Sequence, residues 1–337
     1  MTAAKQRDGV PEDYPGRITR FPEGTGTLAV QFLGVQGHDP QLRSAFVGSV
    51  LELASADNGA ARLERGETID PAGVPTSVIL AYWTDAQAAR RWWQSDAVQT
   101  CWRALPCTGE TGYFAERMQF PAERYNYAAG TEDRHGSAAV LPLCPCTTFG
   151  YWGAYRDRIP ASAGDPFESP LGRVPRSGAA DTRGRRLRVR VPDNLCYIRE
   201  GQGWGNCEEE ERRIWEQQMN PVIDVWVQRL ADDPETTGCL MIRDCQELTA
   251  ATGQALERRT QLAFLLSLGH IERAARTDPS HLAVHGTFVG MYTEPRFTPR
   301  MHVWVEVGIL KQDDLESEYV NCHPGTGLLP YFESEPA

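Results

Sequence analysis

Two histidines stand in settings where an imidazole could do chemistry. His302 lies in Arg300-Met301-His302-Val303-Trp304-Val305-Glu306-Val307. The alternation predicts a strand with His302, Trp304 and Glu306 on one face and the three valines on the other. A histidine on a strand face beside an aromatic suits an axial haem ligand whose neighbour packs on the macrocycle. A hydrogen-bonded structural histidine is the alternative. His323 lies in Asn321-Cys322-His323-Pro324-Gly325-Thr326-Gly327, where one proline and two glycines hold a tight loop. Loops on a rigid scaffold often carry function, and an imidazole gives and takes protons near neutrality.

The other reactive side chains point less sharply. Cys144-Pro145-Cys146 is a CxC, and Cys101 precedes Cys107 by six residues. Neither has the second Cys or His pair of a zinc site. They read as free thiols, with a thiolate haem ligand at Cys144 as the alternative. Arg186-Leu187-Arg188-Val189-Arg190-Val191 alternates with period two. Its three arginines form either an anion or propionate site or the solvated face of a half-exposed strand. The run Glu208 to Glu211 reads as the solvated first turn of a helix. No dinucleotide fingerprint, P-loop or nucleophile elbow occurs.

These residues sit in a chain of 337 residues and 37.5 kDa, a length that predicts about two domains. A formal net charge of -11 and a pI near 5.2 exclude the basic footprint of a nucleic-acid binder. The longest apolar run, Ala263 to Leu268, is interrupted by Ser267 and is far too short to span a membrane. No apolar stretch follows Met1 to Asp8 to form a secretory signal. With nine cysteines, an odd number, the chain reads as a reduced, cytoplasmic protein.

The elements that must position the candidate residues follow from periodicity. Residues 1–25 read as an arm, 26–149 as a first half and 150–337 as a second. Leu28 to Gln36 and Val74 to Trp83 predict strands, Gln41 to Ala54 and Asp85 to Trp93 helices. Gly150 to Gly184, rich in Pro and small residues, predicts a long loop. Asn206 to Leu230 predicts a helix, with Asn206 and Glu209 as a capping box and Pro221 as a kink. Gln254 to Thr277 predicts another helix, ended by Asp278-Pro279. Strands are expected at Ala283 to Met291 and Met301 to Leu310. Strands separated by helices, the last ones antiparallel, favour α+β over a doubly wound sheet.

Along nearly its whole length the chain resembles the haem-containing aldoxime dehydratases, the phenylacetaldoxime dehydratase family. The resemblance is carried by Phe32-Leu33-Gly34-Val35-Gln36, Gly112-Tyr113-Phe114 and Pro121-Ala122-Glu123-Arg124. It continues in Gly150-Tyr151-Trp152-Gly153-Ala154-Tyr155-Arg156-Asp157-Arg158 and Asn194-Leu195-Cys196-Tyr197-Ile198-Arg199. The most specific blocks are Asp278-Pro279-Ser280-His281-Leu282-Ala283, Val305-Glu306-Val307 and Glu318 through Gly327.

The resemblance implies two ferredoxin-like halves, as in dimeric α+β barrels, a homodimer, and one haem b that is ferrous in the active state. It implies His302 as the proximal iron ligand, with Trp304 against the haem, and His323 as the distal acid and base. Arg156 or Arg158 would support the leaving oxygen. The implied reaction removes water from an aldoxime, R-CH=N-OH, to give a nitrile.

One departure stands out. The family segment Ser-Gly-Gln-Asp reads Glu200-Gly201-Gln202-Gly203 here. A protonated Glu200 can donate the hydrogen bond of the missing serine hydroxyl, and burial favours that form. The same change fits a substrate with a different N–O or N–N bond, and a haem-binding protein without catalysis is a third reading.

Overall fold

The computed structural model describes residues 16–146, 155–176, 182–293 and 296–337. Its first half begins with β1 (Gly16–Thr19) and β2 (Thr27–Gln36), followed by α1 (Pro40–Ser55), β3 (Arg62–Ile69) and β4 (Pro75–Trp83). Then come α2 (Ala86–Gln94), α3 (Asp96–Arg103), β5 (Gly112–Pro121), β6 (Tyr125–Ala129) and β7 (Leu143–Cys146). The helices start where local chemistry dictates. Asp39 and Asp85 cap α1 and α2 by accepting backbone N–H groups, and Pro40 occupies the first turn of α1.

The second half contains β8 (Arg186–Val189), β9 (Leu195–Gly203), α4 (Glu209–Ile214), a π-helical turn (Trp215–Met219), α5 (Asn220–Asp232) and α6 (Pro234–Thr237). It continues with β10 (Cys239–Leu248), β11 (Ala255–Leu265), α7 (Leu268–Thr277), α8 (Pro279–Tyr292), β12 (His302–Leu310), β13 (Leu315–Val320) and β14 (Ser334–Pro336).

Strand order shows the repeat. β5-β2-β4-β3 and β12-β9-β11-β10 are the same ferredoxin-like arrangement, joined edge to edge through β3 and β10. The result is one antiparallel sheet of fourteen strands among the described residues, the expected α+β fold. The halves exchange edge strands: β13 pairs with β5, and β6 with β12. The sheet curls until β5 and β12 meet, and Phe120 of β5 fills the place where Gly308 of β12 would carry a Cβ. Its inner face holds a core from both halves, including Phe32, Tyr82, Phe120, Tyr197, Phe264 and Trp304. Its outer face is covered by α1–α3 in the first half and by α4, α5, α7 and α8 in the second.

Three expected elements differ. Gln254 to Thr277 is not one helix but β11 followed by α7. Glu, Arg, Gln and Ala there favour a helix intrinsically, yet β11 lies between β10 and β9 with both faces buried in its second half. Tertiary pairing overrides propensity. Ala283 to Met291 is not a strand but lies within α8, which Asp278 caps and Pro279 opens. Asp278-Pro279 thus both ends α7 and starts α8. The helix expected from Asn206 begins at Glu209 instead, and Asn206 donates to Asp133 rather than capping. Pro221 has no N–H to give, and the chain takes this up in the π turn, where Asn220 N–H reaches back to Trp215.

Candidate active site

β9 and β12 carry most of the chemistry, and their alternation sorts it onto two faces. Register pairs Glu200 with Val305, Gln202 with Val303, and Arg199 with Glu306. Arg199, Trp304 and Glu306 point into the sheet's interior, where Gly201 leaves room for the Trp304 indole. Glu200, Gln202 and Val303 point outward, under the helices.

On that outer face a cleft with a cavity volume of about 130 Å³ opens between sheet and helices. Ile198, Glu200, Gln202, Gln261, Ala263 and Val303 form the sheet wall. Trp215 and Met219 of the π turn, Trp226 of α5, and His281, His285 and Phe288 of α8 face them. Tyr155 lies at one end. A mostly apolar slot with a few converging polar groups is the usual form of a cofactor or substrate site.

Three of those polar groups, Gln202, Trp215 and His281, each have a buried atom with no hydrogen-bond partner among the described residues. Gln202 is 3% exposed; its Nε2 donates to Gln261, whose own amide donates to Asp244. Since Asp244 only accepts, the relay has one direction and leaves Gln202 Oε1 unpaired. Trp215 Nε1 and His281 Nδ1 are likewise buried without a hydrogen bond. Three orphaned buried polar atoms around one cleft are the signature of a ligand that would meet them.

His281 sits edge-on to Trp226, ring centroids 5.0 Å apart. Burial lowers its pKa, the Ala275 backbone opposing, so the ring is a neutral imidazole, the form that binds metal. His285 follows one turn later on the same face of α8. The Glu200 carboxyl makes no hydrogen bond or ion pair among the described residues, and desolvation pushes its pKa up to about 7. An apolar slot, a neutral histidine on one wall and a polar wall opposite fit a haem.

The structure places the other expected site residues elsewhere. His302 faces the interior, not the cleft. Its Nδ1 shares a 2.5 Å hydrogen bond with Thr131, its ring stacks on Trp304 at 4.9 Å, and His135 meets it edge-on at the same distance. Trp304 therefore packs on His302 rather than on a cofactor, and the nearby Arg258 cation lowers the His302 pKa further after burial. His323 has both ring nitrogens engaged: Nε2 bonds Asp70 at 2.6 Å and Nδ1 accepts the Gly325 N–H. It clasps the C-terminal loop to the β3–β4 turn and has no nitrogen left for a substrate. His302 and His323 share no hydrogen-bond or ring partner.

Arg156 is held by Glu272 of α7 and the Pro166 carbonyl beside the cleft's Tyr155 end. Arg158 donates to Asn126 at 3.1 Å and lies over the Tyr155 ring, with burial lowering its pKa. Residues 150–154 of the same segment lie outside the described residues. Of the arginines on β8, Arg186 is bonded to Glu318 at 2.8 Å, far from the cleft. Glu211 is the one member of its acidic run that is fully buried. It accepts the N–H groups of Arg300 and Met301 and the Tyr292 hydroxyl, and so fixes the approach to β12.

His281 lines the cleft but drew no role from the sequence, where a strand was expected to begin at Ala283, so that His281 and His285 did not share the one helix, α8, that holds both.

The chain is similar to known proteins over nearly its whole length. The model of a family described as haem-containing dehydratase matches residues 31–328. Phenylacetaldoxime dehydratase of Bacillus sp. (strain OxB-1) is 30% identical over 317 residues, 93% of this chain and 90% of that protein. Aliphatic aldoxime dehydratase of Pseudomonas chlororaphis is 28% identical over 95% of this chain and 93% of its own. A crystal structure of an aldoxime dehydratase with butyraldoxime superposes with a TM-score of 0.87 at 26% identity, covering 96% of this chain and 91% of the other. The chain belongs to the haem-containing dehydratase family and is an enzyme, a lyase.

Proposed function

We propose that this enzyme dehydrates an aldoxime to a nitrile in the cleft between α8 and the outer face of β9 and β12, with a haem b held there by His281. The observation that carries the reading is the neutral, half-buried His281 with an unpaired nitrogen on the helix wall of an apolar slot. His281, rather than His302, is the iron ligand in this reading. When bound, ferrous haem supplies a metal that takes the oxime nitrogen and draws electron density from the N–O bond.

The chain's own residues do the rest. Trp215, Met219, Trp226, Phe288 and Val303 exclude water and bind apolar surface, which strengthens every polar contact inside. Gln202 Oε1, fixed by Gln261 and Asp244, accepts a hydrogen bond from whatever N–H or O–H donor lies beside it. Arg156, braced by Glu272, and Arg158 hold positive charge near the Tyr155 end, where a leaving oxygen would be stabilised.

The test is to supplement the purified protein with haem, reduce it with dithionite, and add a simple aldoxime. A Soret shift with nitrile appearing is the expected result. A Soret shift without nitrile would move the reading to another N–O or N–N bonded substrate, and no Soret band would remove the haem from the cleft.

A further inference from the structure

A second concave site lies away from the cleft under α8, on the outer face of the first half. There α2, α3 and the turn Gln312–Asp314 wall a groove of about 760 Å³ over β5, β8 and β13. The alternating arginines of β8 divide at this place: Arg188 and Arg190 line the groove, while Arg186 turns to Glu318. Arg90, Arg103 and Arg117 join them, against the carboxylates of Asp313, Glu316 and Glu335. An excess of cation in a concave site, on a chain of net charge -11, focuses a positive field locally. Pairing does not remove it. Arg103 makes no hydrogen bond or ion pair among the described residues, Arg188 reaches Glu318 only at 3.8 Å, and Arg90 bonds the neutral Gln119 at 2.8 Å.

The floor departs most from a solvated basic face. Gln31 of β2 pairs in register with Arg117 of β5, which pairs with Glu316 of β13. The Arg117 side chain, 13% exposed, lies 4.2 Å over the Trp93 ring and gives Nη2 to Glu316 at 2.6 Å. Its Nε is buried without a partner, and so is Oε1 of Gln31, a residue 3% exposed. Gln31 lines a pit of about 30 Å³, room for about one oxygen atom of a water or ligand. Arg90, Arg117, Asp313 and Glu316 border both pit and groove. An orphaned donor and an orphaned acceptor, both buried at one end of a cationic groove, call for a ligand that meets each.

We propose that this groove is a second ligand site, which takes the phosphate group of a small molecule. Guanidinium forks match phosphate oxygens two at a time. Gln31 Oε1 and the carboxylates among the arginines only accept, so they favour an oxyanion that still carries a hydroxyl over one that carries none. Hydrogen phosphate has that O–H near neutral pH, and sulfate does not. The proposal makes no use of the haem.

The test is calorimetric titration of the full chain, with and without added haem, with inorganic phosphate, glycerol 3-phosphate and sulfate at neutral pH and matched ionic strength. One equivalent of phosphate or of its ester should bind, at least about tenfold tighter than sulfate, and raise the melting temperature. Tighter binding of the ester would assign the site to an organic phosphate, and tighter binding of inorganic phosphate to the free ion. Arg103→Gln combined with Arg188→Gln, at two exposed positions, should weaken binding about tenfold or more and leave the ligand-free melting temperature unchanged. Gln31→Met should narrow the preference for phosphate over sulfate. Absence of saturable binding, sulfate bound as tightly as phosphate, or affinity unchanged in the double variant would each overturn the proposal.

Discussion

Arg199 and Glu200 are neighbours in sequence and opposites in environment. Arg199, fully buried, faces the interior and is surrounded: Glu64 at 2.6 Å, Glu247 at 2.7 Å, the Tyr82 hydroxyl at 2.6 Å and Thr260 at 3.1 Å. Glu306 beside it takes the Ser137 N–H and the hydroxyls of Tyr197 and Tyr82. One step along β9, Glu200 faces the cleft, and its carboxyl has no hydrogen-bond or ion-pair partner among the described residues. The two faces of one strand thus show what polar burial looks like when it holds a fold and when it serves a ligand. Inside, the charges of the cluster are paired, although the Tyr127 hydroxyl, His302 Nε2 and Trp304 Nε1 beside it have no hydrogen bond. Outside, Gln202 Oε1, Trp215 Nε1 and His281 Nδ1 have none, and no ion pair reaches the Glu200 carboxyl.

The sharpest way to break this comparison is Arg199→Met. It removes the buried cation that Glu64 and Glu247 share, leaving them only Arg62 and Arg258, and removing one partner of a buried ion pair typically costs about 3–5 kcal/mol. Urea unfolding should show a loss of that size; a loss under about 1 kcal/mol would mean the inner cluster does not hold the barrel.

A second test uses acid. His135 and His302 are held neutral in the interior, their pKa values pushed down to about 2 and about 3 by burial and Arg258, against 6.5 when free. Below pH 6.5 the unfolded chain therefore binds protons that the native one refuses. Their contribution is complete above that pH and is lost as pH falls, at most about 1.4 kcal/mol per unit for each histidine. The urea midpoint should drop from pH 7 to pH 5, and His135→Gln should flatten the slope. A midpoint independent of pH would contradict the assignment.

The smallest effect is the most telling for the outer face. Glu200→Leu removes an unpartnered carboxyl from the cleft wall and should stabilise the fold by about 1 kcal/mol. Destabilisation would mean that the Glu200 carboxyl helps to hold the structure.

How far the sequence revealed this arrangement depends on the physics at each place. β2, β4, β12 and α1 carry periodicity that burial on one or two faces imposes, and they fall where expected. β3, Arg-Leu-Glu-Arg-Gly-Glu-Thr-Ile in composition, offers no such signal, because its inward Glu64 is held by Arg199 from another strand. The split of β12 into a His302–Trp304–Glu306 face and a valine face was legible. Which face looks into the barrel was not, since that is decided by how the two halves close on each other. His302 drew the ligand role from that face, and the strand expected at Ala283 to Met291 kept His281 and His285 from being read as neighbours on one helix. Glu200 was visible because it breaks the pattern of the sequences it resembles, and an open carboxyl is the kind of local inconsistency that marks function.

Haem titration of three proteins by ultraviolet-visible spectroscopy tests the central claim most directly: wild type, His281→Ala and His302→Ala, each oxidised and dithionite-reduced. The outer-cleft account predicts that His281→Ala loses the wild-type Soret band and most of its haem affinity, while His302→Ala, if folded, keeps the wild-type spectrum. A wild-type spectrum in His281→Ala, with its loss in a folded His302→Ala, would contradict it and return the iron to the interior face of β12.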